Sequence, residues 1–571
     1  MTESRQIIAH WDLIKMHILK NLATVSLYLV TLTTLFACGG GGGGVSSDKP
    51  SIKTDPIVNT GTQCQRTLAP PSTGQCDIQV GDSNWLIQGN ILRSNGILAQ
   101  GEVLVIDNSI ACVGCDCSAE VGAASASVLT CASALVTPGL INSHDHLTYA
   151  QNSPVDTAGE RYNHRHEWRL GINGATTISV APGGSTAAQW GELRQVMAGT
   201  TSILGSSTSD GMLRNLDRAQ SDPIADHDTV KLRTFPLGDS NGSLSLNCAD
   251  YSIAAPPAPP FSAHVPHVAE GVDNFASNEF RCLNGSDPNG ADYRAATTAY
   301  INSVGLNASD TKTMADAGMG MIWSPRSNTY LYGTTTPIPN FKQQGGLVAL
   351  GTDWSVSGSI NLLRELACAA EWNDRWSGLF TDQEMADLVT ENAAKIAGFD
   401  DVIGSLTVGK LADITIWNGS ANTGSDAIFN AGNDDVILVL RGGLPLYGDD
   451  SILSAITTLQ DCETIDVCGT SKRLCAAREF GATSNEIATS LGSTPYPLFA
   501  CATPAGEPSC VPSRPTEYTG IASADDTDGD GVLNANDNCP TMFNPALPVD
   551  NGKQSDIDTD GIGDICDPTP L

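Results

Sequence analysis

Eight short apolar runs alternate with helical stretches between residues 135 and 403, and this alternation is the strongest constraint on the fold. The runs are Leu135–Ile141, Ala175–Val180, Thr201–Leu204, Val230–Leu237, Phe261–His267, Thr298–Asn302, Gly318–Trp323 and Leu347–Thr352. Ile360–Trp372 and Asp382–Ala397 are the clearest helices between and after them. Strand followed by helix, eight times over, predicts an α/β fold, a (β/α)8 TIM-like barrel. In such a barrel the chemistry sits at the C-terminal strand ends.

Metal-ligating residue types fall at those ends. His144-Asp145-His146 directly follows the first run, and along a strand residues i and i+2 point the same way. His267 closes the Phe261 run, and Asp353 follows the run that ends at Thr352. Three neutral imidazoles and a carboxylate make a set suited to one divalent transition metal, zinc first, with iron or manganese acceptable. Such a cation lowers the pKa of a bound water toward neutrality. Asp353 would both touch the metal and take the proton of the attacking water. A second pair, His164 and His166, lies in a charged, helix-like segment where i and i+2 diverge, and reads as a polar segment near the mouth. His264 reads as structural.

Five segments together resemble the amidohydrolase superfamily: Pro138–His146, His267–Gly271, Trp323–Asn328, Gly351–Trp354 and Gly404–Asp413. The resemblance covers roughly residues 80–450. It implies a small β-sandwich built from residues 76–134 and 404–450 around the barrel of residues 135–403. It also implies hydrolysis of a non-peptide carbon–nitrogen bond in a small-molecule substrate. The His-x-x-Glu arrangement of His267 and Glu270 is similar to cyclic deaminases and imidazolone hydrolases, in which the glutamate hands a proton to nitrogen. Asn302, Trp323, Ser327 and Asn328 are candidates for the pocket lining. The family's histidine at the end of strand six is replaced here by Asn302, and no histidine follows His267. Asparagine does not titrate near neutrality, which argues for one metal rather than two.

The ends of the chain carry separate signals. Lys15 and Lys20 precede the apolar stretch Leu22–Ala37, which runs into Cys38 and a glycine tract. The stretch is short for a membrane span and reads as a signal peptide. Leu35-Phe36-Ala37-Cys38 resembles a lipobox, so residues 1–38 are expected to be a lipoprotein signal with acylation at Cys38. The protein would then sit at a bacterial cell envelope, meeting the membrane only through its lipid anchor. Met16 is an alternative start. Residues 39–75, rich in Gly, Ser, Thr and Pro, read as a flexible linker. The 17 cysteines fit an oxidising compartment, with pairs such as Cys462/Cys468 and Cys501/Cys510 stapling a Cys-rich appendage over residues 451–520.

Net charge is −33, which excludes nucleic acid as a partner. Much of the acid lies in residues 521–571. There Asp526, Asp528, Asp530 and Asp537, then Asp556, Asp558, Asp560 and Asp564, alternate with glycine-containing turns. Oxygen ligands so spaced form a cage for calcium. The Asn-Cys-Pro after Asp537 is unlike an EF-hand helix and resembles thrombospondin type 3 repeats. Asn302 and the surface-anchor architecture also motivate a second reading, an inactive barrel kept as a binding or adhesion module. Retention of all four ligand candidates favours the enzyme.

Overall fold

The computed structural model describes residues 62–571, apart from 206–210, 220–223, 225, 421–423, 457–460 and 493. The signal segment, Cys38 and residues 39–61 of the expected linker lie outside the described residues. Among the described residues no helix is long and apolar enough to cross a membrane.

Strands before and after the barrel make one sheet. The first set is β1 (Asp77–Gln79), β2 (Trp85–Arg93), β3 (Gly96–Ile106), β4 (Ser109–Gly114) and β5 (Ser127–Pro138). Alternation in β2 and β3 buries Trp85, Ile87, Ile91, Val103 and Val105 in a core shared with Ile414, Ile416 and Leu438 from beyond the barrel. The chain then crosses at Gly139, where a Cβ would meet the Thr201 side chain at 2.3 Å, directly into the barrel.

Eight parallel strands follow: β6 (Leu140–Asn142), β7 (Thr200–Ile203), β8 (Arg214–Asn215), β9 (Lys231–Arg233), β10 (His264–Val268), β11 (Ala299–Asn302), β12 (Gly320–Trp323) and β13 (Leu347–Leu350). They pair as β6-β7-β8 and as β9-β10-β11-β12-β13. Backbone hydrogen bonds join the two sets at both seams. Val230 N donates to Leu216 O at 2.9 Å between β8 and β9, and Ser143 N donates to Leu350 O at 3.0 Å between β13 and β6. This is the expected eight-stranded arrangement.

One expected strand is corrected. Ala175–Val180 is not a strand but a largely exposed loop, in which Ile178 packs against the mouth. Its place is taken by two-residue β8, whose side chains are polar. Buried Arg214 pairs with Asp413 (Nε–Oδ2 2.7 Å), and Asn215 donates to Glu192 at 2.9 Å. Hydrophobic periodicity cannot reveal so short a polar strand.

After the barrel come β14 (Ile414–Trp417), β15 (Val436–Arg441), β16 (Leu444–Asp449), β17 (Glu463–Val467) and β18 (Thr470–Leu474). The expected sandwich is one continuous sheet, in the order β17-β18-β16-β15-β14-β5-β2-β3-β4, with β1 on β5. It also runs past residue 450, because the β17–β18 hairpin adds to its edge.

Two further corrections follow from the covalent framework. Residues 62–75 are not a free linker: Cys64 is bonded to Cys115, and Arg66 forms an ion pair with Glu102. In the Cys-rich segment the pairs are Cys462–Cys475, Cys468–Cys501 and Cys368–Cys510, not the neighbours in sequence. The reason is local. Cys462 and Cys475 flank a hairpin whose end residues Glu463 and Leu474 are paired, which brings the two sulfurs together. The segment is bound to the barrel rather than appended to it. Trp190 Nε1 donates to Tyr496 O at 2.7 Å, and Arg364 Nε donates to Glu507 at 2.9 Å.

The Cys368–Cys510 bond closes a sequence separation of 142 and holds this belt on the barrel. Replacing both cysteines by alanine is expected to lower stability by about 2–5 kcal/mol. A fall in Tm by calorimetry under non-reducing conditions would show it, and an unchanged Tm would refute it.

Candidate active site

β6 and β13 meet at the mouth of the barrel. Asp353 N donates to His144 O at 3.0 Å and His146 N to Asp353 O at 2.8 Å, so the first and last barrel strands stay paired beyond their ends. Close approach is possible because position 351 is glycine; a Cβ there would meet the His144 backbone N at 2.7 Å. Asp353 itself sits at φ 61°, and Ala269, Asn302 and Ser303 share the left-handed region at other strand ends. Non-glycine residues are rarely held there, and such strain gathers at functional sites.

This backbone brings the four expected ligands together. Ring nitrogens of His144, His146 and His267 lie within 4.8 Å of one another. Asp353 Oδ1 is 3.2 Å from His144 Nε2 and 3.4 Å from His146 Nε2. His144, His267 and Asp353 are buried, while His146 opens to a cavity. Burial, reinforced by the neighbouring imidazole His144, pushes His146 down to about 4 and His267 well below the usual histidine value. Both rings are therefore neutral at pH 7, the form that ligates a metal. Burial alone would raise Asp353, but the hydrogen bond and charge of His144, with His146 and Ser327, hold it below the ordinary carboxylate range. Ser327 Oγ donates to Asp353 Oδ2 at 2.5 Å and leaves Oδ1 facing the imidazoles. Donor types, spacing and protonation fit a divalent transition metal.

Glu270 faces the same cavity. Burial pushes its carboxyl up to about 7, with Arg165 opposing and Asp353 adding to the rise. Tyr332 Oη donates to Glu270 Oε1 at 2.9 Å, and Arg165 Nη1 lies 4.0 Å from Oε2. A carboxyl so poised carries a proton part of the time at neutrality.

The cavity measures ≈ 450 Å³. Its walls include Tyr149, Trp168, Phe235 and Trp354, with Arg165 and Arg169 on one side. Trp354 lies 5.7 Å from both Trp168 and Tyr149, ring centre to ring centre. Arg165 is neutralised by Asp239 at 3.0 Å and Glu279 at 2.9 Å. Arg169 differs. Its guanidinium lies 4.2 Å over the Phe235 ring and 2.7 Å from the His166 imidazole, with no carboxylate at ion-pair distance among the described residues.

Four candidates for the pocket lining are corrected. Asn302, Trp323, Ser327 and Asn328 are buried behind the site and do not line the cavity. Asn328 donates to Asn302 Oδ1 at 2.9 Å, Trp323 Nε1 donates to Thr335 at 2.7 Å, and Ser327 reaches only Asp353 and Ser357. Helix Pro325–Tyr332 begins immediately after β12, which turns its first residues under the mouth. The His164–His166 pair is not a metal pair: His164 caps helix Arg165–Leu170 by accepting from His166 N, and its ring faces Glu279. That helix does reach the cavity, through Arg165, Trp168 and Arg169. Arg165, Tyr332, Trp354 and Phe235 carry no mark in the sequence, because their roles depend on how separate helices and loops come together around the mouth.

The acidic tail holds two clusters. Oxygens of Asp526, Asp528 and Asp530 lie within 4.8 Å of one another, as do those of Asp556, Asp558 and Asp560. Asp537 and Asp564 stand beside them without joining the clusters: Gln554 Nε2 bridges Asp530 and Asp537 at 2.8 Å each, and Asp564 accepts from Ser555 and Ile557. The Cys539–Cys566 bond ties the two repeats together.

Parts of the chain are similar to known proteins. Residues 277–445 match the amidohydrolase family model, and residues 522–547 match the thrombospondin type 3 repeat. A 5'-deoxyadenosine deaminase from Methanothermobacter thermautotrophicus is 25% identical over 417 residues, 64% of this chain and 94% of that one. A 5-methylthioadenosine/S-adenosylhomocysteine deaminase from Desulforudis audaxviator is 28% identical over 151 residues, 24% of this chain and 35% of the relative. This chain spans less than half the length of that relative and of two similar deaminases. Among solved structures, an adenosine deaminase from Xanthomonas campestris with bound zinc has a TM-score of 0.48 and 16% identity, covering 63% of this chain and 92% of that one.

If Ser327 orients a ligand carboxylate, Ser327→Ala lowers metal affinity by about 10–100-fold, and His267→Ala removes a ligand and lowers bound metal further. Elemental analysis after competition with a chelator checks both. A wild-type protein that never carries transition metal would contradict the assignment.

Proposed function

We propose, from the premise that this chain belongs to the amidohydrolase superfamily, that it is a metal-dependent hydrolase of a non-peptide carbon–nitrogen bond. The observation that carries the reading is the clustering of His144, His146 and His267, with Asp353 against the first two, in a cavity that also holds Glu270. His144, His146, His267 and Asp353 would hold the cation, with zinc favoured by three imidazoles and one carboxylate. Such a cation, once bound, activates water and polarises the carbon under attack.

The chain's own residues do the rest. Asp353, kept ionised and aimed by Ser327, accepts the proton of the attacking water. Glu270, held by Tyr332, delivers a proton to the substrate nitrogen and so eases its departure or the opening of its ring. The walls formed by Tyr149, Trp168, Phe235 and Trp354 suit a planar heterocycle, and Arg169 offers a cation to a carbonyl or anionic substituent. Deamination and ring opening both fit this arrangement.

In the tail, the two aspartate clusters would hold calcium, the hard cation that carboxylate oxygens prefer. We place the protein at a bacterial cell envelope through acylation of Cys38. Two observations support this: the lipobox-like sequence, and eight disulfides that use every cysteine among the described residues and leave Cys38 over.

The zinc-loaded chain is to be assayed on aminated heterocycles for ammonia release and on cyclic lactams for loss of ring absorbance. Turnover of one class is expected, and Glu270→Gln should reduce kcat about 10²–10⁴-fold without lowering metal content. Glu270 holds its proton below about 7 and loses it above, so kcat/KM should fall as pH rises through that value. Zinc-loaded protein inert toward both classes would favour a binding module instead.

A further inference from the structure

The acidic tail is built into the wall of the barrel mouth. Its first loop, from Asp526 to Gly531, packs backbone to backbone on residues 517–521. Gly520 N donates to Gly529 O at 3.0 Å. A Cβ on Gly529 would meet Ile521 N at 2.7 Å, and one on Gly531 would meet Glu517 O at 2.6 Å. Inside the loop, Asp528 is only 9% exposed, its Oδ2 has no hydrogen-bond partner, and one of its carboxylate oxygens lies within 4.8 Å of those of Asp526 and Asp530. A buried carboxylate with an unpartnered oxygen, set inside such a cluster, is the mark of a cation site.

The segment braced by this loop ends in Arg514. Arg514 N donates to Tyr518 O and Tyr518 N to Arg514 O, at 3.0 and 3.1 Å, which closes the turn. The Arg514 side chain is buried, and it runs where Gly333 leaves room; a Cβ on Gly333 would meet Arg514 Cγ at 2.3 Å. Its guanidinium grips two separate stretches of the mouth. Nη1 donates to Tyr332 O at 2.9 Å and to Tyr162 O at 3.4 Å, and Nη2 donates to Asn163 Oδ1 at 2.7 Å. These stretches carry the groups that hold Glu270. Tyr332 Oη donates to its carboxyl, and Arg165 N, two residues past Asn163, donates to its backbone O at 3.1 Å.

We propose that Arg514 is a positioning residue for Glu270, and that calcium in the Asp526–Asp530 loop sets its grip, so that the tail governs the order of the catalytic mouth. The inference rests on the reading of Glu270 as proton donor and of the tail as a calcium binder. A second attachment keeps the tail docked when Arg514 is changed: Phe543 lies 5.4 Å from Trp372 and 5.5 Å from Tyr518, ring centre to ring centre, and Cys510 is bonded to Cys368.

Hydrogen–deuterium exchange on the full zinc-loaded chain tests this, with calcium-free buffer compared against millimolar calcium. In the wild type, calcium should slow exchange at residues 520–537, and by about tenfold or more at residues 160–170 and 328–336. Arg514→Gln should keep the first effect and lose the second; Asp528→Asn should lose both. Trp168 Nε1 donates to Tyr332 Oη, which donates to Glu270, so a pH-dependent change in tryptophan fluorescence that is absent from Glu270→Gln is the expected reporter of the Glu270 proton. Calcium should shift its midpoint in the wild type and not in Arg514→Gln. No calcium effect at residues 520–537 would overturn the calcium reading and the coupling together. An effect there that never reaches the mouth, or a mouth effect that survives in Arg514→Gln, would overturn the coupling alone.

Discussion

The arrangement at the mouth depends on the seam where the last barrel strand meets the first. His144 and His146 leave β6 while Asp353 leaves β13, and two backbone hydrogen bonds between the residues themselves hold them in register. Gly351 makes the approach possible, and the left-handed Asp353 turns its carboxylate back toward the imidazoles. Without that pairing the two histidines and the aspartate, far apart along the chain, would have no common centre. His267, from the opposite part of the barrel, then closes the set across the mouth.

Burial at the mouth also sets the chemistry. It keeps His146 and His267 neutral and raises Glu270, while hydrogen bonds and neighbouring charge keep Asp353 ionised. Two carboxyl groups in one cavity therefore differ in protonation because their surroundings differ, which is what separates a proton acceptor from a proton donor.

The ligands were legible in the sequence because each is a metal-binding residue type at the end of an apolar run, and the barrel makes strand ends converge. Seven of the eight strands could be read for the same reason. β8 could not, since it is two residues long and fixed by Arg214–Asp413 and Asn215–Glu192 rather than by an apolar stripe. The lining is not legible at Asn302, Trp323, Ser327 and Asn328, because a place at or just after a strand end does not say which side chains face the cavity. Arg165, Tyr332 and Arg514 act through contacts between segments far apart in sequence, and no local pattern marks such residues. Disulfide partners were hidden for a similar reason: Cys368 and Cys510 are paired by the docking of a whole segment.

β5 enters the barrel and β14 leaves it, and these two strands lie side by side, with Pro138 opposite Ile414. Topologically the barrel is thus an insertion between neighbouring strands of a sheet that is itself cross-linked at Cys76–Cys131. Its two ends are tethered to one spot independently of its own closure. The entropic penalty of bringing the first and last barrel strands together is thus largely met by the sheet.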